Sequence, residues 1–230
     1  MLGVYNNMVI GLALTGLAAL GTNMLAVTND PTQMAARMGN IGLTAFGQAI
    51  YGSPLRWVIM LAPLAFVFFI SFRIDRMSAS SARTMFYAFS AVMGLSLSSI
   101  LLVYTGASIA RAFFITAAAF GALSLYGYTT RRSLSAMGSF LVMGLFGLII
   151  ASLVNLFVQS SALQFGLSCL SVVIFAGLTA WDTQTIKEMY YANDDYEVAT
   201  KKSVNGALML YLDFINIFTS LMHLTGNRNN

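Results

Sequence analysis

Leu163-Gln-Phe-Gly-Leu-Ser-Cys-Leu-Ser-Val-Val-Ile-Phe-Ala-Gly-Leu-Thr-Ala-Trp-Asp-Thr-Gln-Thr-Ile186 is a run of 24 residues whose one charged side chain is Asp182. About 20 residues of helix cross the hydrocarbon core of a bilayer, so the run reads as a membrane span. The rest of the chain agrees. Hydrophobic residues make up 58% and charged residues 9%, with a mean hydropathy of +0.76, where a soluble domain carries about 25% charge. Lipid, not water, has to solvate such a surface.

Working outward from this segment, six more runs of spanning length are bounded by Gly, Pro or charge. The seven cover residues 4–27, 55–72, 84–104, 108–128, 136–158, 163–186 and 204–224. The first has no basic stretch ahead of it and is too long for a signal-peptide core, so it reads as a retained span. The expected fold is an all-α integral membrane protein, a single seven-span domain over residues 1–230.

Loop charge sets the expected orientation. The loops after spans two, four and six contribute Arg73, Arg76, Arg83, Arg131, Arg132, Lys187, Lys201 and Lys202, whereas the opposite set contributes Arg37, Arg56, Arg111 and Arg228. The positive-inside bias then places the even loops and the N-terminus in the cytoplasm and the C-terminus outside. The longest connection, Thr28 to Pro54, has an apolar middle broken by glycine, which predicts a short interfacial helix or a dipping segment, a structural lid in preference to a pore element. No repeat of the whole chain is evident, which argues against an inverted-repeat transporter.

Small residues punctuate the spans: Gly11, Gly16 and Gly21 in the first, Gly94 with Ser96, Ser98 and Ser99 in the third, and Gly138, Gly144 and Gly147 in the fifth. They read as packing positions, since small side chains let helix backbones approach in lipid. The fourteen methionines read as soft filler, and Cys169, the one cysteine, as an apolar side chain that forms no intrachain disulfide.

Two carboxylates resist so bland a reading. Asp182, and Asp213 in Leu210-Tyr-Leu-Asp-Phe-Ile-Asn-Ile-Phe218, lie inside apolar runs, where a charge costs several kcal/mol unless paired, protonated or wetted. Spans six and seven run antiparallel, so at 1.5 Å per residue Asp182 lies about 7 Å from Lys187 and Asp213 about 13 Å from the cytoplasmic end of its span. Both fall in the same half of the bilayer and meet if the helix faces agree. In that case low dielectric and like charge oppose double ionisation, one proton is shared, and the pair titrates in two coupled steps. Such a pair holds a proton in one state and a cation such as Ca²⁺ in the other. The alternative is that each aspartate satisfies a local group such as Thr179, Thr183 or Asn216. Arg73, closing the second span, is a candidate cationic partner, or else snorkels to lipid phosphate.

The segments Ala180-Trp-Asp-Thr-Gln-Thr-Ile186 and Leu210 to Phe218, with Gly226-Asn-Arg228 and the opening Val4 to Gly16, resemble signatures of the transmembrane Bax inhibitor motif family, especially its bacterial members. The resemblance covers the whole chain. It implies seven helices with a central last span wrapped by the others, and a pH-sensitive calcium leak. Asp182 and Asp213 match the family's two-carboxylate sensor, and Arg73 matches, by position, an arginine latch. An acidic residue found halfway along the second span in some members has no counterpart between Leu61 and Ile70.

The leading functional expectation is therefore a passive cation leak, for calcium, gated by Asp182 and Asp213, which are also its candidate metal-binding residues. The alternative is a binding protein that modulates a membrane-bound protease or stress pathway, for which the charged loop Glu188 to Lys202 and the termini would matter more. Enzymatic chemistry is not expected. The sole histidine, His223, is remote by topology from both aspartates, and no nucleophile with a base, metal-ligand cluster or phosphate-cradling motif is present. No cofactor is implied beyond calcium as a bound or transported ion. Basic residues are too dispersed for nucleic acid. The partners expected are the lipid bilayer, cations and a membrane protease, and the location a bacterial inner membrane.

Overall fold

The computed structural model describes residues 1–73, 76–191 and 194–229. All seven expected spans are helical. Six helices among the described residues are long and apolar enough to cross a membrane, and the pair Ala45–Gly52 and Leu55–Ile70, bent by 66°, adds a seventh when counted as one span. Large apolar side chains such as Phe157, 87% exposed on the protein, face outward along them, a surface that only lipid can cover.

The chain divides into two helical units. The first described here spans 2–105 with 228–229 and holds α1 (Leu2–Ala26), α3 (Leu55–Arg73), α4 (Ala79–Leu97) and α5 (Ile100–Val103). Helices α1 and α4 pack closely, because Gly94 lies against the backbone of Thr15 and Gly11 against Phe86. Polar pins cross the same seam: Thr15 donates to the carbonyl of Ser90 at 2.9 Å and Tyr87 to Asn7 at 2.9 Å. Gly16 and Gly21 meet nothing within 4 Å, so the packing role expected for them is not seen.

The long first connection differs from expectation. Its start forms a hairpin, β1 (Ala36–Met38) with β2 (Ile41–Leu43), before the expected helix appears as a turn α2 (Ala45–Gly47) that continues as a π-turn over Gln48–Gly52. Gly39 with φ of 60° supplies the left-handed first position of the two-residue turn between Met38 and Ile41. That short signal lay within a stretch read for its apolar middle. Tyr51 then donates to Ser98 at 2.8 Å, where α4 breaks before α5.

The second unit contains α6 (Gly106–Thr129), α7 (Ser135–Val158), α8 (Ser161–Glu188) and α9 (Tyr196–Thr225). Helix α8 lies against each of the other three, and α9 also against α6. Gln159, left-handed with φ of 52°, ends α7, and Ser160 caps α8 by accepting from the Leu163 amide. Leu141 and Leu148 of α7, Ile174 and Leu178 of α8, and Ile217 of α9 share one apolar cluster. Phe214 meets Phe113 and Phe120 of α6 edge-on, at 5.6 Å each.

The loop expected between Lys187 and Ser203 is mostly helix. Asp195 caps α9 by accepting from the Val198 amide at 2.8 Å, and Glu197 pairs with Lys201 one turn on at 3.1 Å, so the helix starts well before its apolar stretch. Charges that mark a loop in a membrane sequence here sit on the solvated end of a span. Asp194 folds back onto α9, accepting from Lys202 at 2.7 and 2.8 Å, while Lys202 also covers the Tyr191 ring at 4.7 Å. The Lys202 hydrogen bond, with that from the Tyr191 amide, holds the Asp194 carboxyl below its ordinary 3.8. Its pairing is therefore complete above that ordinary value and lost only as the pH falls through the lower folded one. This staple does not titrate near neutrality. Accordingly, Asp194→Asn should leave any pH dependence between 6 and 8 unchanged, and a shifted profile in that variant would tie the loop to that dependence.

Candidate functional site

Where α8 meets its neighbours around Asp182, glycines remove the side chains that would hold the backbones apart. A Cβ at Gly127 of α6 would overlap the carbonyl of Ala180, and one at Gly138 of α7 would enter the Trp181 ring. On α9, a Cβ at Gly206 would come within 2.9 Å of Ile186. Asp182 thus sits on a stretch of α8 clasped from three sides. Gly144 also packs, against Ile174, while Gly147 of the same helix meets nothing within 4 Å.

Hydrogen bonds fix this end of α8 further. The buried Gln184 side chain accepts from the Leu134 amide at 2.8 Å and donates to the Arg132 carbonyl at 3.0 Å, so it bridges the α6–α7 loop. Lys187 donates to the Tyr128 carbonyl at 2.8 Å. Ser124 and Thr183 share a hydrogen bond at 2.9 Å. Gln184 escaped the sequence reading because an uncharged amide near a span end carries no mark of its own; its place two residues after Asp182 was the available signal. Gln184→Ala leaves a buried amide and a carbonyl unpaired, and should lower stability by about 1–3 kcal/mol, measurable as a reduced denaturation midpoint in detergent. An unchanged midpoint would mean that water replaces the amide at no cost.

Asp182 and Asp213 are brought together. They are 7% and 3% exposed, and their carboxyl groups lie within hydrogen-bonding reach of each other. Two carboxyls bond in this way only if one carries a proton. Asp213 Oδ2 is buried without a protein hydrogen-bond partner among the described residues. The neighbouring groups that might have satisfied the aspartates locally are engaged elsewhere. Thr179 donates to the Phe175 carbonyl and Thr183 to that of Thr179, both at 2.7 Å, and Asn216 donates to Leu212 at 2.8 Å.

The level of the contact sets the offset between the two helix ends. Asp182 lies six residues before the end of α8, about 9 Å, and Asp213 seventeen residues after the start of α9, about 26 Å. With the carboxyls level, α9 reaches roughly 17 Å beyond α8.

Arg73 belongs to the other unit. It is the last residue of α3, exposed, with its guanidinium 5.6 Å from the Phe69 ring centre. His223 lies ten residues beyond Asp213 on α9, towards the α7–α8 end of the unit. No group of three or more His, Cys, Asp or Glu side chains among the described residues is arranged to hold a metal.

Comparison with known proteins places these features in a family. A family model described as "Inhibitor of apoptosis-promoting Bax1" matches residues 1–230. The chain is 47% identical over 228 residues to an uncharacterized protein of Rickettsia prowazekii, covering 99% of this chain and 89% of that one. It is 48% identical over 172 residues to the inner membrane protein YbhL of Escherichia coli, covering 74% of each. The Lactococcus lactis protein YrjE is 36% identical over 225 residues, 96% of each chain. With the match running over its full length, and with the spans to go with it, the chain belongs to the Bax inhibitor family of integral membrane proteins.

Proposed function

We propose that this protein is a passive, pH-sensitive cation leak of a bacterial inner membrane, with calcium as the ion and the Asp182–Asp213 pair as both gate and proton sensor. The observation that carries the reading is the contact between the two buried carboxyl groups. With one shared proton the pair is singly charged and hydrogen-bonded, and it ties α8 to α9. Loss of that proton sets two like charges against each other, and at 4 Å in an effective dielectric near 20 such charges repel by about 4 kcal/mol. The helices then separate or a cation enters. Two carboxylates offer at most four oxygens, fewer than the roughly six to eight that Ca²⁺ takes, which suits passage better than storage. The inner membrane is carried over from the printed name of the Escherichia coli relative.

The test is flux into liposomes loaded with a calcium dye. Wild type should pass calcium several-fold faster at pH 8 than at pH 6, and Asp182→Asn or Asp213→Asn should flatten that difference. Absence of flux in wild type at every pH would sink the leak; flux with an unchanged profile in both variants would sink the gate. Arg73, the latch implied by the family resemblance, is an arm of the same assay: Arg73→Ala should raise flux at pH 6, and no change would remove it from the mechanism.

A further inference from the structure

Helices α7, α8 and α9 enclose a groove of about 380 Å³ at the end of the unit away from the aspartates, and its lining is ordered by chemistry. Gln164, Ser168 and Ser171 form one stripe on α8, at the i, i+4, i+7 spacing of a single helix face. Asn216, Thr219 and Ser220 form a second on α9, ending at His223. Leu148, Leu153 and Leu156 of α7 supply an apolar wall. The inner end of the α9 stripe, Asn216, is three residues from Asp213, about 4.5 Å along the helix.

A polar stripe can simply join two helices, but these side chains mostly bond to their own backbones. Only Ser220 reaches across, donating to Ser171 at 2.7 Å. Ser168 donates to the Gln164 carbonyl at 2.9 Å, Thr219 to the Ile215 carbonyl at 2.9 Å, and Asn216 to Leu212 at 2.8 Å. Each hydroxyl thereby gives up its only proton to the helix and keeps oxygen lone pairs for the groove, as does the Asn216 carbonyl oxygen. Gln164 Oε1 is taken by Asn155 at 3.1 Å, so the Gln164 amide turns donors to the outer end, while further in the Ser171 proton and the second Asn216 N–H stand beside a larger number of acceptor oxygens. Several waters fit in a space of this size, and an excess of acceptor oxygens favours a cation over an anion.

From this arrangement we infer that the α7–α8–α9 groove is a hydrated vestibule for inorganic cations, leading from the membrane face at the α7–α8 turn to within one helical turn of Asp213. The inference rests on the reading of the aspartates as a cation gate and supplies the approach to it on the opposite side. The Ser171–Ser220 bond crosses between α8 and α9 halfway along it.

Thiol labelling tests the vestibule without measuring flux. In a Cys169→Ser background, Asn216→Cys and Thr219→Cys are compared with Val173→Cys, on the outward face of α8 at 65% exposure. Proteoliposomes are treated on both sides with the cationic trimethylammonium-ethyl or the anionic sulfonato-ethyl methanethiosulfonate. Both groove positions should be labelled at least tenfold faster than position 173, and tenfold faster by the cationic reagent than by the anionic one. Labelling no faster than at position 173 would show a dry or lipid-filled groove and overturn the inference, as would equal rates for the two reagents. Labelling with no calcium flux would leave the vestibule standing and remove the leak, so the two failures are distinguishable.

Discussion

Gly127→Leu is expected to prevent α6 from seating on α8, and Gly147→Leu, an identical substitution in the same unit, to be tolerated. A side chain at Gly127 runs into the Ala180 carbonyl, part of the helix backbone, which cannot rotate away as a side-chain end can. Overpacking of a core costs about 1–3 kcal/mol where neighbours can shift; against backbone the cost should exceed about 3 kcal/mol, enough to lose much of the folded protein. Gly147 has nothing within 4 Å, so its variant gains only lipid-facing surface. Fluorescence-detected size exclusion in detergent reads the difference directly: a collapsed monodisperse peak for Gly127→Leu and a normal one for Gly147→Leu. Equal behaviour of the two would mean that α6 slides along α8 at little cost. Ala180 is two residues from Asp182, so a milder Gly127→Ala, if it folds, should also disturb the carboxyl contact.

The second large effect is non-additivity at the aspartates. If Asp182 and Asp213 share one proton, removing either carboxylate abolishes the two-charge state, and Asp182→Asn with Asp213→Asn together should resemble each single variant. The several-fold wild-type flux ratio between pH 8 and pH 6, for which one proton over two pH units allows at most about a hundredfold, should fall below twofold in all three. Two independent sensors would instead leave an intermediate ratio in each single variant and lose it only in the double. The Asp194–Lys202 staple provides the internal control, since its acid group is already ionised throughout this range.

Span existence was legible because it depends on length and hydropathy, which are local. Most expected spans lie within one helix, such as α7, Ser135–Val158 against an expected 136–158, while the expected 84–104 crosses the break between α4 and α5. Span ends were misread where charge and helix end part company. At α9 they do so because the Asp195 cap and the Glu197–Lys201 pair continue the helix into water. The glycines show a different limit. Gly138 and Gly147 look alike in a row of letters, yet one meets a tryptophan and the other nothing, since facing depends on which neighbour arrives. The same holds for the aspartates: their rarity in apolar runs singled them out, their depths were estimable, and their contact required the rotation of two helices relative to each other. Gln184 and the α7–α8–α9 groove belong to this third kind, assembled from residues whose spacing becomes meaningful only when a second helix faces them.

Helix α9 has 30 residues and no proline, and is about 45 Å long against a hydrocarbon layer of about 30 Å. It is therefore a stiff rod with one end in water and the buried Asp213 partway along. A tilt of the wet end about the close contact at Gly206 would, by leverage, carry the carboxylate sideways. On the proposed function, a carboxylate mounted on such a beam should also respond to whatever bends or thins the membrane around it.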